Sequence, residues 1–169
     1  MRKLSILKAI VDWLWIASII STPIIIILFG FLIFGNSIND LKFSIFNIKV
    51  KSYELYSKMI LILPLCYYLG SVYCLYLFRE TIKNIQKINL FDYKNIKNFN
   101  IIGKLLIAFS FIEVIAKFLI ELPQGDLNMN ISISMSPFLI TLVLGLFFMV
   151  LSEIFKIAKN QKQENDLTI

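Results

Sequence analysis

Long apolar runs dominate the pattern of this chain. Residues 14–34 and residues 59–78 contain no charged side chain. As α-helices, these runs of 21 and 20 residues would be about 30 Å long, which matches the hydrocarbon core of a bilayer. A third apolar run contains four charged residues, and a fourth has Glu153 near its end. The pattern predicts four spanning helices, at about 10–34, 59–78, 101–122 and 137–155.

Composition narrows the class of protein further. The chain has 169 residues, of which 58% are hydrophobic and 17% are charged. Soluble domains carry about a quarter charged residues, and disordered chains are less apolar than this one. We therefore expect an all-α transmembrane protein, a four-helix membrane bundle in which residues 1–169 form one membrane domain with no soluble enzyme domain beside it.

Basic residues predict the orientation in the membrane. Outside the predicted spans, eleven Lys and Arg residues lie in the N-terminus, the loop 79–100 and the tail 156–169, whereas four lie in the two other loops. Cytoplasmic loops carry the excess of positive charge. Both termini, the loop and the tail are therefore predicted to be cytoplasmic.

The two outer loops show a different periodicity. Apolar residues alternate with polar ones over 41–45, over 48–51 and again over 129–135. A period of two is typical of β-strands, and an isolated hairpin is marginal in water. The pattern predicts that the two outer loops form a small extracytoplasmic β cap of three strands.

The loop between the second and third spans has helical periodicity. Every third residue from Ile82 to Ile88 is isoleucine, which predicts that the second helix continues past its span. Asp92 then fits the N-cap of a third helix, with every third residue from Tyr93 to Phe99 on one face.

Charged residues inside the third run are the candidates for intramembrane chemistry. Glu113, Lys117 and Glu121 are spaced four apart and therefore share one helix face. They form either a polar path for a proton or ion, or a Glu–Lys pair that partly neutralises itself. Asp12 and Lys104 lie near the same ends of two helices, where they either pair or reach water separately.

Signatures of catalysis are missing from the sequence. It contains no histidine, no G-x-S-x-G, no P-loop and no C-x-x-C motif. The basic residues lie in short loops rather than on a basic face interleaved with aromatic side chains. We expect no enzyme activity, no cofactor, no metal and no direct contact with nucleic acid.

Two stretches together resemble a known family. Phe91 and Asn95, with Gly103 further on, resemble the F-x-x-x-N-x-x-x-L-x-x-I-G stretch of a bacterial membrane family, domain of unknown function 2975. Glu153 and the ending 164–169 resemble its terminal E-x-F-x-x-G-x-x-L-x-x-E-x-D-L-T-I. The chain departs from the family pattern at four positions: Lys94, Phe99, Ala158 and Gln161.

The resemblance implies a bacterial inner-membrane protein of uncharacterised activity, often encoded beside a small helix-turn-helix regulator of the Cro/CI kind, and it implies no catalytic residues. The leading hypothesis is a non-enzymatic regulator in the lipid bilayer that docks this cytoplasmic partner; the alternative is a small transporter or ion-conducting protein. The tail either docks a partner or frays, and self-assembly stays open. The candidate partner-binding residues are Phe91, Asn95, Glu153, Glu164, Asp166, Leu167 and Ile169.

Overall fold

Four long helices make up nearly all of the described chain. A computed structural model places α1 at Arg2–Phe34, α2 at Ile62–Gln86, α3 at Tyr93–Glu121 and α4 at Pro137–Leu167. The structure describes residues 2–34, 44–45, 48–49, 62–87, 92–121 and 137–167. Each of these four helices is long and apolar enough to cross a membrane, which confirms the predicted four spans. The chain is a multi-pass membrane protein.

The ends of α2 and α3 follow their local sequence. α2 continues beyond Phe78 to Gln86, as the isoleucine spacing predicts. Asp92 caps α3, because its carboxylate Oδ1 accepts a hydrogen bond from the backbone N–H of Lys94 at 3.3 Å and its carbonyl accepts one from that of Asn95 at 3.0 Å. The predicted N-cap is therefore confirmed.

α4 extends well beyond its apolar run. The helix continues without a break from the predicted span through Leu167. No Gly or Pro lies between Gly145 and Leu167, and Lys, Gln, Glu, Ala and Leu, which favour helix, make up most of residues 156–167. We call residues 156–167 the α4 extension.

Consecutive helices pack against each other in an antiparallel arrangement. α1 packs on α2, α2 on α3 and α3 on α4, and the α3–α4 contact is the most extensive. Hydrogen bonds join the start of α3 to the end of α2 and to the later part of α4. At one end of the bundle lie the first residues of α1 and α3 and the last residues of α2 and α4. We call this the basic end.

The buried side chains lie mostly on α3. Phe99 is 4% exposed and stacks on the rings of Phe148 and Phe155, with centroids 5.9 and 5.5 Å away. Ile96 on the same face is also buried. Tyr93, at the start of this face, is 66% exposed. It lies in the first turn of α3, where the Lys159 ammonium sits 5.5 Å from its ring centroid.

Two glycines let the backbones of α3 and α4 approach closely. A methyl group on Gly103 would lie 2.7 Å from the carbonyl oxygen of Gly145, and one on Gly145 would lie 2.9 Å from that of Gly103. Both distances are too short for a side-chain carbon. Small residues allow such close approach between membrane helices, where packing rather than the hydrophobic effect drives association.

A short β-ribbon lies between α1 and α2 in the chain. β1, Ser44–Ile45, pairs antiparallel with β2, Ile48–Lys49, and Ser44 lies opposite Lys49. β2 contacts α3. Two strands of two residues do not support a three-stranded cap, and the predicted third strand at 129–135 lies outside the described residues. The cap stays a prediction.

The glycine crossing gives a test of the helix packing. We expect Gly103→Ala and Gly145→Ala each to lower the free energy of unfolding by about 1 to 3 kcal/mol, because the added methyl meets backbone atoms of the facing helix. Gly30→Ala is the matched control, since nothing lies within 4 Å of its added methyl. Thermal unfolding in detergent measures all three. Equal stability of the crossing variants and the control would contradict the close contact.

Candidate functional site

Polar side chains from α2 and α3 meet at the basic end. We call this set the polar junction: Glu80, Thr81, Asn84, Lys94, Asn95 and Asn98. The first three lie in the extension of α2 and the others in the first two turns of α3, so the helix continuation and the Asp92 cap bring them together.

Asn98 is the centre of one half of the junction. Its side chain is 5% exposed, and its Nδ2 donates hydrogen bonds to Glu80 Oε2 at 3.0 Å and to Thr81 Oγ1 at 3.3 Å. The other carboxylate oxygen of Glu80 lies 2.7 Å from the Lys94 ammonium. Thr81 in turn donates to the carbonyl of Leu77 at 2.9 Å. One amide thus joins a buried hydroxyl to a surface ion pair.

Asn95 is the centre of the other half. It has no exposed surface, and its Oδ1 accepts a hydrogen bond from Asn84 Nδ2 at 3.2 Å. Asn95 is one of the predicted partner-binding residues. A side chain without exposed surface contacts no partner in this conformation, so the structure assigns Asn95 to the packing of α3.

The buried amides matter more to the junction than its ion pair. The side chains of Lys94 and Glu80 are 57% and 22% exposed, so water and salt screen their attraction. A buried amide that loses its partner keeps the desolvation cost without the compensating bond. The two asparagines therefore fix α3 on α2.

α4 is tied to the same region. Ser152 is 5% exposed, and its hydroxyl donates to the backbone carbonyl of Ile96 at 2.8 Å. Phe155, one turn later, stacks on Phe99. The α4 extension thus begins directly after the residues of α4 that contact the start of α3.

α1 is held to α2 by a separate group of polar contacts. The Arg79 guanidinium binds the Asp12 carboxylate at 2.5 Å and lies 6.0 Å from the Trp15 ring. Further along α1, the Ser21 hydroxyl lies 2.7 Å from the Tyr68 hydroxyl. The sequence predicts that Asp12 and Lys104 either pair or reach water separately. Asp12 instead pairs with Arg79, because α1 packs on α2 and the cation next to Asp12 therefore comes from α2.

The predicted partner-binding residues of α4 lie at the surface. Glu153 is exposed and lies 3.4 Å from the Lys156 ammonium, and Glu164 is also exposed. Leu167 is 86% exposed. Asp166 belongs to α4, but its side chain is not among those described. Phe91 and Ile169 lie outside the described residues.

Glu113 is a buried carboxyl group in α3. It is 4% exposed, and Ser110 and Ala116 on the same face have no exposed surface. Glu113 therefore points to the protein interior rather than to lipid. The side chains of Lys117 and Glu121 are not described, so the Glu113–Lys117 pair stays a prediction.

Sequence reasoning missed Thr81, Asn84 and Asn98. The sequence does hold a signal for these residues. Thr81 and Asn84 are three residues apart on either side of Ile82, and Asn95 and Asn98 are three apart on either side of Ile96. Polar residues at such positions are buried with the apolar ones and need partners. Among the residues the structure describes, no three His, Cys, Asp or Glu side chains group as metal ligands would.

Comparison with known proteins identifies the family. A family model described as "Protein of unknown function (DUF2975)" matches residues 11–169. The chain belongs to this family. The match covers most of α1 and all of α2, α3 and α4, so the polar junction and the α4 extension both lie inside it. No curated protein and no solved structure matches the chain.

The polar junction generates a stability prediction. Asn98→Ala should lower the free energy of unfolding by about 1 to 3 kcal/mol, because the Thr81 hydroxyl and Glu80 lose a buried donor. Asn100→Ala is the control, since this half-buried asparagine lies two residues on in α3 outside the junction. Denaturation in detergent measures both variants. A loss no larger for Asn98→Ala than for Asn100→Ala would contradict the role of the junction.

Proposed function

We propose that this DUF2975 protein is a non-enzymatic membrane regulator that docks a small cytoplasmic helix-turn-helix transcription regulator. The observation that carries the proposal is the α4 extension. It continues twelve residues past Phe155 as helix, which is about 18 Å beyond the apolar run. Its exposed end offers a binding surface outside the bilayer.

The chemistry of the α4 extension suits a protein partner. Lys156, Lys159 and Lys162 come first, where they lie near the membrane surface, and Glu164 and Leu167 follow at the exposed end. An exposed acid beside an exposed leucine on a helix is suited to a groove with an apolar pocket and a basic rim. Tyr93 adds an exposed ring next to Lys159, which joins the 79–100 loop to the same surface.

The contacts at the base of the extension suggest how docking is regulated. The Ser152–Ile96 hydrogen bond and the Phe99–Phe155 stack connect the extension to the start of α3, and α3 is fixed on α2 by the polar junction. A signal that moves α2 relative to α3 would therefore change the position of the docking helix. In this proposal, the polar junction is where the movement of α2 is passed to α3.

The excess of basic residues supports a cytoplasmic location for the α4 extension. The basic end carries the N-terminus, the loop and the tail, which together hold eleven Lys and Arg against four in the opposite loops. We propose that this end faces the cytoplasm and that the membrane is the bacterial inner membrane. The small β cap on the outer face belongs to the same proposal.

Co-purification with a small helix-turn-helix regulator, of the kind that the family resemblance implies beside the gene, tests the proposal. Deletion of residues 164–169 should abolish recovery of the partner and leave membrane insertion intact, because no apolar run is touched. Leu167→Ala should weaken binding roughly tenfold, since a buried leucine anchor contributes about 1 to 3 kcal/mol. A reporter fused to the C-terminus should score as cytoplasmic.

Gln161→Ala is the matched control, because Gln161 is an exposed polar residue of the same α4 extension. It should retain wild-type binding. If the deletion retains its partner at the wild-type level, the extension is not the docking site. If the wild type never binds the neighbouring regulator, or the C-terminal reporter scores as external, the proposed function fails.

A transporter is the second candidate, and the burial of Glu113 favours it. An ionisable residue inside a membrane helix is costly, which makes it a common mark of an ion or proton pathway. Glu113→Gln should then abolish proton or cation flux into liposomes while the exposed Glu153→Gln leaves it unchanged. Flux that is absent from the wild type, or equal in wild type and Glu113→Gln, would rule this candidate out.

A further inference from the structure

One face of α3 changes from basic to apolar along its length. Lys97, Lys104 and Phe111 follow each other at intervals of seven residues, so they lie in a line on the helix, about 10 Å apart. All three are exposed, and Phe111 is 53% exposed. Ile115, next along this line, is also 53% exposed. We call these four residues the α3 outer face.

The two lysines of the α3 outer face have no acidic partner within the described ranges. Lys94 and Lys156, by contrast, each pair with a glutamate. α3 itself contains no acidic residue before Glu113, and the glutamate that pairs with Lys94 comes from α2. The α3 outer face therefore carries two uncompensated positive charges.

The positions of these residues match the layers of a lipid leaflet. The apolar run of α3 begins at residue 101, so the Cα atom of Lys104 lies about 5 Å inside it and that of Lys97 about 6 Å outside. A lysine side chain is a flexible stem of about 6 Å that extends toward the interface. Both ammonium groups therefore reach the phosphate layer, whereas Phe111 lies at acyl-chain depth.

We propose that the α3 outer face binds an anionic phospholipid of the surrounding bilayer. Lys97 and Lys104 hold the phosphate from either side, and an acyl chain lies along Phe111 and Ile115. The charge complementarity selects an anionic headgroup over a zwitterionic one. This site is separate from the α4 extension, and it holds whether or not the extension docks a regulator.

Native mass spectrometry of the full chain in detergent tests this site. The protein is titrated with phosphatidylglycerol and, in parallel, with phosphatidylcholine. Wild type should bind phosphatidylglycerol more tightly. The double variant Lys97→Gln, Lys104→Gln should weaken the first binding event about 25-fold, at roughly fivefold for each lysine near the phosphate layer.

Lys83→Gln, Lys87→Gln is the matched control. It removes the same charge from two exposed lysines, Lys83 in the last turn of α2 and Lys87 directly after that helix. This variant should change phosphatidylglycerol binding by less than about twofold. An equal loss in both double variants would show general attraction to the basic end and would overturn the site.

Two further outcomes would also overturn the proposal. One is equal affinity of the wild type for phosphatidylglycerol and phosphatidylcholine, because then charge does not select the lipid. The other is displacement of phosphatidylglycerol by an equal concentration of inorganic phosphate, since this would show that the α3 outer face takes free phosphate and that the acyl chain contributes nothing. All variants should retain the wild-type melting temperature, which shows that the loss is local.

Discussion

The close approach of α3 and α4 at Gly103 and Gly145 is the constraint on which the other contacts depend. Inside a bilayer, lipid competes for apolar side chains as well as protein does, so helices associate where their backbones and polar groups fit. The glycine crossing brings the helices near enough for the Ser152–Ile96 hydrogen bond and for the rings around Phe99. Without it, α4 would have no fixed direction at the basic end.

The contacts between the other helix pairs are of different chemical kinds. α3 is fixed on α2 by buried amides at the polar junction, with little contribution from exposed charge. α1 is held to α2 by the Asp12–Arg79 pair and a hydroxyl contact to Tyr68, both partly exposed. The family match begins at residue 11, near the first of these α1 contacts.

Local elements of the fold could be predicted because their causes are local. The Asp92 cap and the continuation of α2 depend on side chains within a few residues of each other, and the periodicity of isoleucine showed the second. The fate of Asn95 could not be predicted, because a motif marks a residue without showing whether it is buried. The partner of Asp12 could not be predicted for a related reason: helix packing decides which basic residue lies next to it, and Arg79 of α2 lies there.

The sequence by itself determined that this chain has four helices able to cross a membrane, because the length of an apolar run is a property of a single segment. It also determined the family, through the 91–103 stretch and the ending. Only the tertiary structure decided which polar residues are buried partners and which remain exposed. Asn98 and Lys97 are neighbours in the chain, yet one lies in the junction and the other on the α3 outer face. The reason is physical. A helix turns about 100° per residue, so consecutive residues point in different directions, and the helices packed on each side decide what each residue contacts.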